Sequence, residues 1–199
     1  MMRRTMIGIT IMLGLGVIGI TLFIFTPAVG NGKLWGMAIV PEAAVRDMLQ
    51  VSANRLQNFR VLRDESWGMR RILLYSYTVQ PAGQPPRNEF GYALTEMRAG
   101  WSAIPGRIYA DAPFAAQVTY ASAQLDDTTI VYGKTLDPLV TTIEASFDNG
   151  LTRRAMPVNT GFLLRARGNI TLQTVMLFDA PGNILQQHNA PNLHERPHW

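Results

Sequence analysis

Residues Met6 to Phe25 form an apolar run, and no charge falls between Arg4 and Lys33. A helix rises about 1.5 Å per residue, so the run spans roughly 30 Å, one hydrocarbon core. Backbone amides have no water partners in lipid, which makes a helix the only form open to a single such segment. Arg3 and Arg4 precede the run and only Lys33 follows closely, so the N-terminus is expected in the cytoplasm and the rest outside. That predicts a single-pass protein of the cell membrane with an extracytoplasmic body. The competing reading is a cleavable signal, with Ala28 and Gly30 as the small residues before the cut. A signal's apolar core is ordinarily about 7–15 residues, shorter than this one, which favours the retained anchor. Arg3-Arg4 lacks the rest of a twin-arginine signature. Gly14-x-Gly16-x-x-Gly19 matches a dinucleotide-binding pattern only formally, because that chemistry needs a strand-to-helix turn. In a membrane helix small residues allow close helix contact, so Thr10 and Gly14, four apart, are candidate packing residues. Small residues that merely face lipid are the alternative.

The chain has no cysteine, which excludes disulfides and a lipoprotein anchor. An exported body held by its core alone suits a bacterial envelope. About 170 residues follow the anchor, enough for one ordinary domain or two small ones. All 14 acidic residues lie there, against 16 of the 18 basic ones, so the body is nearly neutral. No basic stripe is interleaved with aromatics, which argues against nucleic acid.

Thr26 to Gly36 is expected to be a short link, broken by Pro27, Gly30, Gly32 and Gly36. Pro41 to Gln57 predicts a helix, with Pro41 at its first position and Glu42 at the positive end of the dipole. Val45, Met48, Leu49, Ser52 and Leu56 share one face at helical spacing. Short strands follow: Phe59 to Leu62, a turn at Asp64 to Gly68, then Arg71 to Val79 and Phe90 to Arg98, with Phe90, Tyr92, Leu94 and Met97 as inward positions. Gly100 to Gly106 reads as irregular, and Arg107 to Ala110 as a brief strand. Ala112 to Ala116 is the expected boundary. Beyond it seven short strands occupy about 75 residues, with turns at Asp148-Asn149-Gly150 and Pro181-Gly182-Asn183. Their number and spacing predict a small immunoglobulin-like β-sandwich. The fold class is therefore mainly β (α+β). Its parts are an anchor and link over 1–36, a helix-plus-antiparallel-sheet module over 37–115, the sandwich over 116–187 and a mobile tail over 188–199.

Certain segments carry a resemblance: Val61-Leu62-Arg63, Ile72-Leu73-Leu74-Tyr75-Ser76-Tyr77, Phe90-Gly91-Tyr92-Ala93-Leu94 and Ala99-Gly100-Trp101 in the first module. In the second they are Ile130-Val131-Tyr132-Gly133, Asp137-Pro138, Phe147-Asp148-Asn149-Gly150 and Phe178-Asp179-Ala180-Pro181-Gly182-Asn183. In these the body resembles uncharacterised exported or membrane-anchored bacterial proteins with a helix-plus-sheet module followed by a β-sandwich. The matched residues specify turns and strand cores, and the resemblance implies no catalytic residue.

Candidate chemistry is sparse. His188, His194 and His198 lie close together near the end, but their spacing fits no helix-borne metal motif, and a solvated tail is the plainer reading. Asp126-Asp127 and Asp64-Glu65 are the adjacent acidic pairs. On a strand neighbouring side chains point to opposite faces, so solvated turns explain them better than calcium or shared-proton chemistry. Arg70-Arg71 and Arg153-Arg154 fit charged hairpin edges, or anionic headgroups if they face the membrane. Trp67 and Trp101 flank expected turns and are the candidate interaction residues, with burial between modules as the alternative. No catalytic, cofactor or metal residue is assigned. The expected function is a binding or assembly protein without catalysis, held at the membrane by its N-terminal helix and engaging an unidentified protein partner. An accessory subunit of a larger membrane complex and an envelope hydrolase with an unrecognised site are the alternatives.

Overall fold

The computed structural model describes residues 32–34, 37–52, 56–81, 83–110 and 117–190. The apolar run, with Thr10 and Gly14, lies outside them. No helix among the described residues is long and apolar enough to cross a membrane. The described chain is mainly β, in antiparallel sheets with one short helix.

Its elements are β1 (Lys33–Leu34), β2 (Met37–Ala38), α1 (Pro41–Ser52), β3 (Leu56–Trp67), β4 (Arg70–Val79), β5 (Arg87–Met97) and β6 (Trp101–Ala110). After these come β7 (Val118–Leu125), β8 (Thr128–Thr135), β9 (Thr142–Phe147), β10 (Thr152–Ala155), β11 (Gly161–Arg167), β12 (Leu172–Phe178) and β13 (Ile184–Asn189). They form a six-stranded sheet in the order β1-β2-β6-β5-β4-β3, a three-stranded sheet β11-β8-β7 and a four-stranded sheet β10-β9-β12-β13.

Side-chain alternation stacks these elements in four layers. On β4, Leu73, Tyr75, Tyr77 and Val79 face one way and meet Val45 and Leu49 of α1. Ile72 and Leu74 face the other way and, with Phe90 and Tyr92 of β5, meet Ile130 and Tyr132 of β8 and Leu163 of β11. The three-stranded sheet then turns Val131, Phe162 and Leu164 toward Ile143, Ala145, Val175 and Leu177 of the four-stranded sheet. A strand covered on both faces has no polar side to present. That is why Ile72-Leu73-Leu74-Tyr75, Ile130-Val131-Tyr132 and Phe162-Leu163-Leu164 are continuous apolar runs. The two modules read in the sequence thus share one buried cluster across their boundary.

Several expected boundaries move. The helix stops at Ser52, and Leu56 belongs to β3, paired with Val79. Leu56 still packs beside Val45 and Leu49, so its helical spacing from them was reached by a strand. The expected turn at 64–68 is strand as far as Trp67, because Asp64 pairs with Arg71 and Glu65 with Arg165. Only Gly68, at φ 59°, and Met69 make the hairpin. Trp101–Ala110 is one strand despite Pro105 and Gly106. Its outer neighbour β2 pairs with it only at Trp101, so among the described residues Pro105 has no strand partner on that side, and it sits beside a register shift. A side chain at Gly106 would run into the Tyr92 ring. Met97 is exposed rather than inward, since it ends its strand at the turn into β6. The expected link contributes β1, which pairs with β2 at the start of the first module. At the other end β13 takes in His188 and Asn189, two residues of the expected tail.

Candidate interaction surfaces

Strand directions give the body two distinct poles. At one, β3 turns into β4 and β5 into β6, with Trp67, Arg70 and Glu96 in register across the sheet and Trp101 opposite Met97. Ala38 pairs with Trp101, and the Ile39 amide donates to the Gly32 carbonyl at 2.8 Å. The chain therefore enters the body at this pole, called proximal here. Ile39, Val40, Met69 and Met97 are exposed around it, Met69 to 99 %.

The three-stranded sheet fixes a distal end of the sandwich, level with the middle of β3 at Leu62 and Arg63. Gly161 at the start of β11 lies against Leu62, the Arg63 guanidinium donates to the Met156 carbonyl at 3.0 Å, and Arg165 reaches Glu65 and Ser66. β11 therefore runs alongside β3 in the same direction, and its start points away from the entry pole. Lys134 pairs with Gly161, Ala155 with Ile143 and Phe178 with Thr142, so the β8–β9, β10–β11 and β12–β13 connections gather at this distal end. Hydrogen bonds join two of these connections to a neighbouring strand end: Thr135 N–H to the Thr160 carbonyl at 2.8 Å and Thr141 N–H to the Phe178 carbonyl at 2.9 Å. Leu136, Leu139, Met156 and Val158 are exposed on the first two, Leu139 to 64 % and Met156 to 69 %, and Ile184 is exposed at the start of β13. Single exposed apolar residues are ordinary on protein surfaces, but four on two adjoining connections, with Ile184 beside the third, make a candidate interaction surface. Asn159 and Thr160 in the β10–β11 turn hold positive φ, at 49° and 72°, a conformation that non-glycine residues rarely adopt.

Trp67 and Trp101 share the proximal end but lie on opposite faces of the sheet. Trp67 packs against the cluster under the three-stranded sheet, with the Arg165 guanidinium 4.8 Å from its ring centre. Trp101 packs on Ala38, Ala43 and Ala44 at the start of α1. Both are partly covered, and they do not converge. Asp126 and Asp127 form the exposed β7–β8 turn, where Asp126 has φ 51° and Asp127 meets Arg167 at 3.4 Å. Arg70 and Arg71 pair with Glu96 and Asp64. Arg154 holds the buried carboxylate of Glu144 and lies over the Phe178 ring. These pairings are structural links between strands. The distal cluster escapes a reading of the sequence, where Leu136 and Val158 read as strand ends; the strands stop at Thr135 and Ala155. The signal was present in Leu136-Asp137-Pro138-Leu139, apolar residues kept beside a turn-forming pair.

Two polar groups inside the body matter for stability. Tyr77 donates to Glu89 at 2.5 Å, and Arg87 holds the same carboxylate at 2.7 Å, so a buried acid is fully engaged. Burial and that hydrogen bond raise the Tyr77 pKa. His188 lies edge-to-face with Tyr120, ring centres 5.9 Å apart. Burial lowers the His188 pKa and raises that of Tyr120 to about 12. A histidine with a lowered folded pKa binds fewer protons when native than when unfolded. Its contribution is constant above its unfolded pKa, near 6.5, and is lost as pH falls below that value. Urea midpoints should therefore drop between about pH 7 and pH 5, and His188→Gln should flatten that part of the profile. An equal slope in the variant would assign the dependence to other groups.

Among the described residues no group of three or more His, Asp or Glu is placed to hold a metal ion. No family model matches the chain, and neither a curated protein nor a solved structure matches it.

Proposed function

We propose that this protein is a single-pass, membrane-anchored extracytoplasmic binding or assembly protein that works by contact rather than catalysis. The observation that carries the reading is the polarity of the body. The chain enters at one pole, and four exposed apolar side chains on two connections, with Ile184 at the start of β13, gather at the distal end of the sandwich. A body anchored through residues 6–25 holds that distal pole away from its own membrane, which leaves a protein as the fitting occupant. The β7–β13 region supports an immunoglobulin-like sandwich: seven strands split three and four, with β10 on β9 rather than on β11. In that comparison the β8–β9 and β12–β13 connections take the places of the binding loops of variable domains. The resemblance to exported and membrane-anchored bacterial proteins points the same way.

The test is affinity purification of the full-length protein from mildly solubilised native membranes, beside the double variant Leu139→Ser and Met156→Ser. Both residues are exposed, so the variant folds as the parent does. The parent should recover a defined partner in stoichiometric amount, and the variant at least about tenfold less, a loss near 1.4 kcal/mol. Repeated recovery of the bait alone would overturn the reading. Equal recovery by both forms would move the contact off the distal pole.

A further inference from the structure

We propose that the proximal pole is itself a lipid contact, with Ile39, Val40, Met69 and Met97 lying in the membrane interface and Arg98 beside the headgroup phosphates. The proposal rests on the anchored reading and adds a second attachment to it.

Four observations meet at this pole. First, the chain reaches the body here, since β1 starts at Lys33 beside Ala38, and Ala38 pairs with Trp101 at the turn end of the sheet. Second, the distance is short. Eight residue steps separate Phe25, the last residue of the apolar run, from Lys33. At no more than about 3.6 Å each they reach roughly 29 Å, so the pole cannot stand far from the bilayer. Third, the residues at this end are of the wrong kind for a hairpin rim in water. Met69 occupies a two-residue turn at 99 % exposure, where polar residues are the usual choice, and Met97, Ile39 and Val40 are exposed nearby. Methionine is unbranched and adaptable, which suits contact with a fluid partner. Fourth, a cation stands at the rim. Arg98 is 78 % exposed and shares Glu96 with Arg70, while Lys33 and Arg71 are each paired with an acid and the exposed Asp126-Asp127 turn at the same end is met by Arg167. An arginine at the rim of an apolar tip meets phosphate while the tip enters the apolar region below it.

A bilayer is a better occupant than a protein for this pole because the anchor delivers it there at high effective concentration. Weak individual contacts then suffice, and no strong charge excess is needed. The consequence is an oriented body whose long direction from entry to distal connections points away from the membrane, rather than a body swinging on a link.

The absence of cysteine in the chain makes the test direct. Single spin labels are placed by Leu15→Cys in the apolar run, Met69→Cys and Met97→Cys at the proximal pole, and Leu139→Cys at the distal pole. The full-length protein is reconstituted into vesicles of phosphatidylcholine with phosphatidylglycerol, and collision rates with oxygen and with a water-soluble nickel chelate are compared. The expected result is an oxygen-to-nickel ratio several-fold higher at 69 and 97 than at 139, and highest at 15. Ratios at 69 and 97 equal to that at 139, with 15 buried in lipid, would overturn the proposal and leave the anchor standing. Immobilised labels at 69 and 97 without oxygen access would also overturn it, and would assign the pole to a protein contact. A water-exposed label at 15 would overturn the anchored reading and this proposal with it.

Discussion

Tyr132→Ala should destabilise the protein by about 4 kcal/mol, the range for emptying a large aromatic site in a well-packed core. Tyr132 is fully buried on the middle strand of the central sheet. Its ring meets Tyr92 edge-on at 4.8 Å and Phe90 at 6.3 Å, so residues of β5 and β8 interlock through it. The same cluster contains Leu62, Ile72 and Leu74 from the first sheet and Ala121, Ile130 and Leu163 from the second. Removing the ring opens a void between two sheets that neither can close alone, because each also packs on a further layer. For a chain of this size 1 kcal/mol corresponds to roughly 2–4 °C, so the unfolding midpoint should fall by about 8–16 °C. The stronger expectation concerns cooperativity. Scanning calorimetry of the full-length protein in mild detergent should show a single transition that moves as a whole, because the two modules share this cluster. Two transitions, only one of them shifted, would show that the modules unfold separately. Tyr132→Phe keeps the ring and separates its share from that of the hydroxyl.

How much of this was legible in the sequence depended on whether a pattern was local. Arg71 to Val79 and Gly161 to Arg167 were found almost to the residue, since their composition is strand-like and turn residues bound them. The hairpin at Asp148-Asn149-Gly150 was found because Gly150 supplies a positive φ, here 79°. What failed depended on partners distant in the chain. Asp64 and Glu65 read as a turn because the arginine that pairs Glu65, Arg165, lies 100 residues away and cannot be seen from the local window. Pro105 and Gly106 read as a break, although an edge position and the Tyr92 ring explain both. The continuous apolar runs of β4, β8 and β11 did carry the information that a sheet is covered twice. Without a partner in view, such a run does not say which layer covers it. The candidate surfaces were harder still. A pole is a property of strand direction, so Leu136, Leu139, Met156, Val158 and Ile184 become one candidate surface only once the register is known.

Gly133→Ala should cost about 3 kcal/mol, an unusually large effect for one methyl group. Gly133 sits on β8 between Tyr120 of β7 and Phe162 of β11, paired with both. A methyl group there would overlap the Thr119 carbonyl oxygen and stand 2.8 Å from the Tyr120 Cα and 2.9 Å from the Phe162 ring tip. Two of these three obstacles are backbone, which cannot rotate out of the way as a side chain does. β7 would have to move off the sheet, taking Val118 and Tyr120 out of the cluster they share with Phe162. Overpacking of this kind typically costs about 1–3 kcal/mol and more where backbone must shift. Against it, alanine recovers only about 0.5–1 kcal/mol of the entropy that glycine loses on folding, so the clash decides the sign. Gly83→Ala is the matched control. Gly83 has φ 73° with nothing within 4 Å of the added carbon, so only left-handed strain opposes it, about 1–2 kcal/mol. Urea unfolding of the full-length protein in mild detergent should therefore rank parent, Gly83→Ala and Gly133→Ala in falling order of midpoint. A Gly133→Ala midpoint at or above that of Gly83→Ala would mean that β7 yields freely. The close β7–β8 contact would then not be what holds the central sheet in register.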